Sequence, residues 1–258
     1  MPSHAVTARN HAIASENKIH DDTVARRFGF EGGLVPGVTL YAYLVNPVAQ
    51  AWGERWLRGG RMGARFGSPI YDGGEVTAAM SDGGELTVTD AAGKTCVTGS
   101  AARPDGADAE APPEIPAASL PADRPPADED SLAPGTVLGS IEHAHTREIA
   151  DAYLDDIDDH LPLFREAGYA HPGWLLRAAN QVLVDNVVLG PWIHVESRAR
   201  ILRPVTLGQT VRTHARVLDR YEHKGHRFVD LDVVTSSDEG PAMWTRHIAI
   251  YRPRQVAG

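Results

Sequence analysis

The chain has 258 residues, 42% of them hydrophobic and 23% charged, enough to bury one large core or two modest ones. Its 25 basic and 34 acidic side chains leave a formal charge of −9, and Lys and Arg do not cluster, so neither nucleic acid nor an anionic membrane is an expected partner. Cys96 is the single cysteine, which excludes an intramolecular disulfide and a cysteine-based zinc site.

Residues Met1 to Asn10 contain no apolar run of the signal-peptide kind, and a cytoplasmic protein is expected. The polar stretch from Ser15 to Asp22 leads into a short helix at Asp22–Arg27, where acids favour the start of the helix as caps and through its dipole. Pro36-Gly37 then opens an apolar run with helical spacing: Leu40, Leu44, Val45, Val48 and Trp52. Pro36, Gly37, Asn46, Pro47 and Gln50 interrupt the segment, so it predicts a buried helix and not a membrane span. Strands follow, with a turn at Asp90-Ala91-Ala92-Gly93 and a small buried Cys96. Residues 103–135 hold 8 Pro, 8 Ala and 8 Asp or Glu with no aromatic residue, and read as an extended linker crossing the surface. It separates residues 1–102 from residues 136–258. In the second part, His171-Pro172-Gly173 opens another apolar helix, with Leu175, Leu176, Ala179, Val182 and Leu183. Alternation over His226–Val233 and Thr245–Tyr251 predicts strands with one face buried, and the turns fall at His223–His226 and Ser236–Gly240.

The two parts repeat each other. Arg65, Pro69 and Gly73 recur as Arg200, Pro204 and Gly208, since 200 − 65, 204 − 69 and 208 − 73 all equal 135. Each part therefore reads as a short polar helix or loop, a long apolar helix and several antiparallel strands, an α+β arrangement.

The string Ser15-Glu16-Asn17-Lys18-Ile19-His20-Asp21-Asp22, followed by Ala25, Gly29-Phe30 and Pro36-Gly37, resembles the hydratase motif of MaoC-like dehydratases and hydratases. The strand Arg65-Phe66-Gly67-Ser68-Pro69-Ile70-Tyr71-Asp72-Gly73 is also similar to that family. The resemblance implies a double hot-dog, each half an antiparallel sheet wrapped around a long central helix, with the N-terminal half as the candidate catalytic half. It implies a hydro-lyase, a dehydratase or enoyl hydratase acting on an acyl-CoA or acyl-carrier-protein thioester. By the same resemblance, His20 falls on the catalytic His and acts as general acid/base, Asn17 orients substrate or water, and the Gly37 N–H polarises the thioester carbonyl. Ser15 stands where the family has its Asp, and a hydroxyl cannot replace a carboxylate base. A carboxylate from Asp21, Asp22 or the second half is expected to take that place, and Asp22 joins the catalytic set on this ground. Ser15, Val35, Gly37 and His171 are expected to bind substrate. In the second half Asp158 best matches the family Asp with Phe164 in place of its His, while an alternative register pairs Asp155 with His160, and that half is expected to shape the acyl pocket.

Two other readings remain open: a hot-dog acyl thioesterase, and a non-catalytic acyl-binding or subunit-type hot-dog protein. The 12 histidines show no metal-ligand spacing, and neither a phosphate loop nor a dinucleotide fingerprint occurs, so no metal and no cofactor are expected. A homodimer is compatible with the sheet edges of such a fold.

Overall fold

The computed structural model describes residues 1–104 and 110–254; residues 105–109 of the linker and 255–258 of the second half lie outside the described residues. Strands β1 (Ser3–Thr7), β2 (Arg61–Phe66), β3 (Glu75–Met80), β4 (Glu85–Asp90) and β5 (Thr95–Ala102) come from the first part. Strands β6 (Val137–Ala144), β7 (Ile193–Ile201), β8 (Thr210–His223), β9 (His226–Ser237) and β10 (Gly240–Arg252) come from the second. All ten form one antiparallel sheet in the order β1-β3-β4-β5-β2-β7-β10-β9-β8-β6.

That order is the internal repeat made visible. Read from either edge, the strands of each part follow the same sequence, and the two sets meet where β2 pairs with β7, Gly63 opposite Arg198. The seam uses the inner edge of each set, leaving β1 and β6 as the sheet edges among the described residues. Isolated bridges repeat too: Leu34 pairs with Tyr71 and Tyr169 with Thr206, and both 169 − 34 and 206 − 71 equal 135.

Helix α1 spans Asp22–Arg26, α2 Gly37–Trp56, α3 Arg147–Asp156, α4 Pro162–Arg165 and α5 Pro172–Asn186. The long helices α2 and α5 pack on each other. Helix α2 lies against β1 to β5 and β7, and α5 against β6, β8, β9 and β10. Between Val38 and Ala49 every residue of α2 is buried, which explains a sequence that is apolar nearly all round. The helices start at equivalent points, with Pro36 and His171 as N-caps, since 171 − 36 is again 135.

Strand β9 departs from the expected one-sided burial. Its outward residues Asp230 and Asp232 are 2% and 6% exposed. Arg246 holds the Asp230 carboxylate at 2.9 Å, and Trp244 Nε1 donates to Asp232 at 2.5 Å, so ion pairing covers a face that alternation assigns to water.

The linker is extended but anchored. Ile115, Ala127 and Leu132 are buried, the Ala127 N–H donates to the Val188 carbonyl at 3.0 Å, and Val188 returns a bond to Pro125 at 2.8 Å. Its Pro and Ala content limits what it buries, and Ala127 sits where it pairs with Val188 of the second half.

The C-terminal end of α5 is tied to β6 by one side chain. Asn186 is 5% exposed; its Oδ1 accepts from the Gly139 N–H at 2.6 Å and its Nδ2 donates to the carbonyls of Gly139 and Val182 at 2.9 and 2.7 Å. Asn186→Ala leaves a buried N–H and carbonyl without partners, and a loss of about 3 kcal/mol is expected. Urea unfolding checks this; a loss below about 0.5 kcal/mol would mean that the Gly139 groups find other partners.

Candidate functional site

The turn that carries the motif is built from local polar bonds. Asn17 caps a 3-10 turn at Lys18–His20, its side chain accepting from Ile19 N, and Ile19 is buried beneath it. Asn10 Nδ2 donates to the His20 carbonyl at 2.9 Å, and the Leu34 N–H donates to the Ile19 carbonyl at 3.2 Å. The Val35 N–H donates to the Ile70 carbonyl at 2.9 Å, which fixes the approach to the α2 N-terminus.

The orientation of the His20 ring follows from its partners. Nδ1 lies 2.7 Å from the Leu34 carbonyl oxygen, which can only accept, so Nδ1 carries the proton. A neutral ring then presents a lone pair at Nε2, and Asn17 Nδ2 lies 3.3 Å from it. The amide orientation is fixed by the second half: Oδ1 accepts from the Trp192 N–H at 3.0 Å while Nδ2 donates to the Trp192 carbonyl at 2.9 Å. Burial lowers the His20 pKa, partly offset by the bond to Leu34, so the ring is a neutral base at pH 7.

Two adjoining cavities meet at this point. The larger, about 530 Å³, lies between the halves and is lined by Ser15, Asn17, His20, Arg124, Asp156 and Arg177 among others. The smaller, about 260 Å³, is mainly apolar, with Ile19, Leu34, Val35, Leu40, Phe66 and Ile70 in its wall and Gly37 and His194 at one side. Asn17, His20, Pro36, Asn180 and Trp192 line both. The first N–H groups of α2 have no acceptor within their own helix, and its dipole adds positive potential there.

Five of the seven site residues expected from the sequence thus stand on these walls: Ser15, Asn17 and His20 on the larger cavity, and Val35 and Gly37 with Asn17 and His20 on the smaller. Asp22 and His171 do not. The Asp22 carboxylate is turned to its own loop, accepting from the Gly33 N–H at 2.7 Å and standing 3.9 Å from Arg26, so it braces α1 and is not brought to His20. Asp21 is likewise spent as the α1 cap, accepting from Val24 N. His171 is 2% exposed, caps α5 through Gly173 N at 3.0 Å and faces Asp159 at 3.5 Å, with the ring of Phe164 packed on it at 4.5 Å. The rings of Phe164 and Tyr153 thus enclose His171 at the start of α5.

Sequence reasoning missed Asp156, Asp185, Arg124 and Asn180. Asp156 and Asp185 are second-half carboxylates on the larger cavity, and the Asp156 carbonyl is bonded to His11 Nε2 at 2.7 Å. Arg124 reaches from the linker to Glu16 at 3.0 Å. Asn180 is a polar break in the apolar run of α5, a signal that was readable; its Oδ1 is buried with no partner among the described residues.

A second polar group lies behind the smaller cavity. His194 Nε2 is 2.8 Å from Ser197 Oγ, which is 2.9 Å from His247 Nδ1. Burial holds His194 well below the usual histidine range, with His247 adding to it, and burial pushes His247 down to about 3. An unfolded histidine titrates near 6.5, so below that pH the unfolded chain takes up a proton that the folded His247 refuses. Stability is therefore full above about pH 6.5 and falls as the pH drops toward the folded value, by about 1.4 kcal/mol per unit for this ring, or roughly 2 kcal/mol at pH 5. Urea midpoints at pH 7.5 and 5 are expected to differ less in His247→Asn than in the wild type; equal differences would refute the assignment.

Neither a family model nor a curated protein matches the sequence. Solved structures do. A MaoC domain protein from Chloroflexus aurantiacus J-10-fl, named as a dehydratase, aligns over 98% of this chain and 96% of its own, with TM-score 0.62 and 11% identity. A conserved Mycobacterium tuberculosis protein described as having a double hot-dog fold aligns over 97% and 96%, with TM-score 0.59 and 15% identity. A MaoC-like dehydratase aligns over 97% and 98%, with TM-score 0.58 and 13% identity. The chain thus has the double hot-dog fold, in the form found in MaoC-like dehydratases. No helix among the described residues is long and apolar enough to cross a membrane.

Proposed function

We propose that the protein is a hydro-lyase that interconverts a trans-2-enoyl thioester and its 3-hydroxyacyl form, with an acyl-CoA or acyl-carrier-protein thioester as substrate. The observation that carries this reading is the neutral His20 ring, held through Nδ1 by the Leu34 carbonyl, with its unprotonated Nε2, only weakly engaged by Asn17 Nδ2 at 3.3 Å, on the wall of a cavity that ends at the N-terminus of α2. In the hydration direction, water attacks the β-carbon while Nε2 accepts its proton. The electron pair of the carbon–carbon double bond moves toward the thioester oxygen, where the Gly37 N–H stabilises the charge. His20 then returns the proton to the α-carbon, so one molecule of water is added and the ring ends neutral. One base serves both proton transfers, which removes the strict need for the carboxylate that Ser15 replaces.

The acyl chain fits the smaller, apolar cavity. The polar carrier arm fits the larger one, where Arg177 offers a cation to a phosphate group and Arg124 would do so by exchanging its Glu16 partner. Each half would act as one hot-dog around its long helix, the second half supplying Trp192 and the α5 wall. A homodimer would extend an edge, β1 or β6, or bury another face.

The test is a panel of trans-2-enoyl-CoA substrates followed by enoyl absorbance and free thiol together. Loss of enoyl absorbance without thiol release is expected. Thiol release without hydration would favour a second reading, thioester hydrolysis by a water that Asp156 activates, since Asp156 is a carboxylate on the larger cavity. Acyl-CoA binding with neither change would favour a binding protein.

A further inference from the structure

His194 opens strand β7 at the wall of the smaller cavity and is 6% exposed, while Ser197 and His247 are fully buried. The rings of His194 and His247 stack with centroids 4.3 Å apart, and Phe66 packs on His194 at 4.6 Å, so the ring cannot turn away. Among the described residues, His194 Nδ1 and His247 Nε2 have no hydrogen-bond partner. His194 Nδ1 is aimed at the start of α2: a Cβ placed on Gly37 would lie 2.8 Å from it.

Ser197 has one hydroxyl proton and sits between two ring nitrogens, so the two tautomers determine each other. If Ser197 donates to His247 Nδ1, His194 must donate from Nε2, and His247 is left with an N–H at Nε2. That buried donor would have no partner, and it lies away from both cavities, so no ligand could supply one. If Ser197 donates instead to His194 Nε2, His247 donates from Nδ1, and the N–H of His194 moves to Nδ1. There it is also buried and without a partner, but it points at the Gly37 start of α2, where a ligand oxygen brought to the Gly37 N–H would come within its reach.

We propose that His194 Nδ1–H is a second donor to the thioester oxygen, beside the Gly37 N–H, and that Ser197 and His247 hold the ring in that tautomer. This rests on the hydro-lyase reading for the identity of the oxygen. The arrangement also explains why residue 37 is Gly, because any side chain there would press on His194. His194 would act on charge developing at oxygen and His20 on protons at carbon.

The test has two arms. First, wild-type protein with ¹⁵N-labelled histidine is saturated with butyryl-CoA carrying a ¹³C carbonyl, which binds but has no double bond to hydrate. His194 protonated at Nδ1 in the complex, His247 protonated at Nδ1 with it, and a carbonyl shifted downfield are expected. A ring protonated at Nε2, or no carbonyl shift at saturation, overturns the proposal. Second, hydration is assayed in His194→Leu and Ser197→Ala. Removal of an oxyanion donor is expected to lower kcat by about 10²-fold in His194→Leu with KM changed little, and Ser197→Ala by less. Wild-type kcat in His194→Leu, with activity still lost in His20→Ala, overturns the proposal while leaving the hydro-lyase reading intact. A downfield carbonyl shift that His194→Leu abolishes, in a wild type that releases thiol or turns over no enoyl thioester, overturns the hydro-lyase reading and keeps the donor. Should His194→Leu fail to fold, the tautomer and carbonyl measurements on the wild type decide.

Discussion

Replacing His20 by Ala is expected to lower kcat for enoyl hydration by about 10² to 10⁴-fold, the range for a positioned acid/base group. The expectation follows from a cavity-lining ring whose unprotonated nitrogen has only a long contact to Asn17 Nδ2, 3.3 Å, its other nitrogen being bound to the Leu34 carbonyl. Stability is expected to change much less, by about 1 to 2 kcal/mol, because the substitution leaves one carbonyl and part of one amide to find other partners. The pH profile gives an independent check. Burial lowers the His20 pKa, and only the neutral ring is a base, so the acid limb of kcat/KM should fall below pH 6.5, the ordinary histidine value. A variant that folds normally and keeps wild-type kcat would remove His20 from the reaction. A profile whose acid limb lies above 6.5 would mean that another group controls it.

Much of this arrangement is written locally in the chain. Pro36-Gly37 and Pro172-Gly173 mark the starts of both long helices because a proline ring suits a helix start and removes a donor that would be orphaned there. Asn17 and His20 are three residues apart in one turn, so their proximity needs no tertiary information. The repeat at 135 residues is readable because Arg, Pro and Gly mark the same bend in each half. What pattern cannot supply is the partner of a polar group far along the chain. Asn17 finds the Trp192 backbone 175 residues away, and Ser197 links two histidines 53 residues apart, since 247 − 194 is 53. Asp22 shows the converse. A carboxylate next to a motif His looks catalytic in one dimension, yet the backbone N–H of Gly33 is closer to it and takes it. The linker misled for a related reason: composition gives its average polarity, but Arg124 reaches the cavity because of where the chain crosses.

Gly33→Ala is expected to damage both stability and turnover although residue 33 has no side chain and touches no substrate. Its backbone is not in the left-handed region, so the reason is steric and not conformational. A Cβ there would overlap the carbonyl of His20, which is backbone and cannot swing aside, and would press on Asn10 Nδ2 at 3.2 Å. Those two groups are bonded to each other, Asn10 Nδ2 to the His20 carbonyl at 2.9 Å, so relief requires the whole 3-10 turn to move. Overpacking of this kind costs about 1 to 3 kcal/mol, and the rigidity of the neighbour argues for the upper end. Displacing His20 by about 1 Å is enough for roughly a 10²-fold loss of kcat. Gly83→Ala serves as the control, because its Cβ would meet nothing nearer than Ser81 Oγ at 3.7 Å on an ordinary backbone, and a change within about 0.5 kcal/mol is expected. The measurement is a urea midpoint together with kcat for each variant. If Gly33→Ala loses stability but keeps kcat, the turn moves as a unit with the cavity and the position of His20 is less demanding than proposed. If it keeps both, the His20 backbone yields without cost, and the bracing of the turn by Asn10 and Gly33 is not what positions the base.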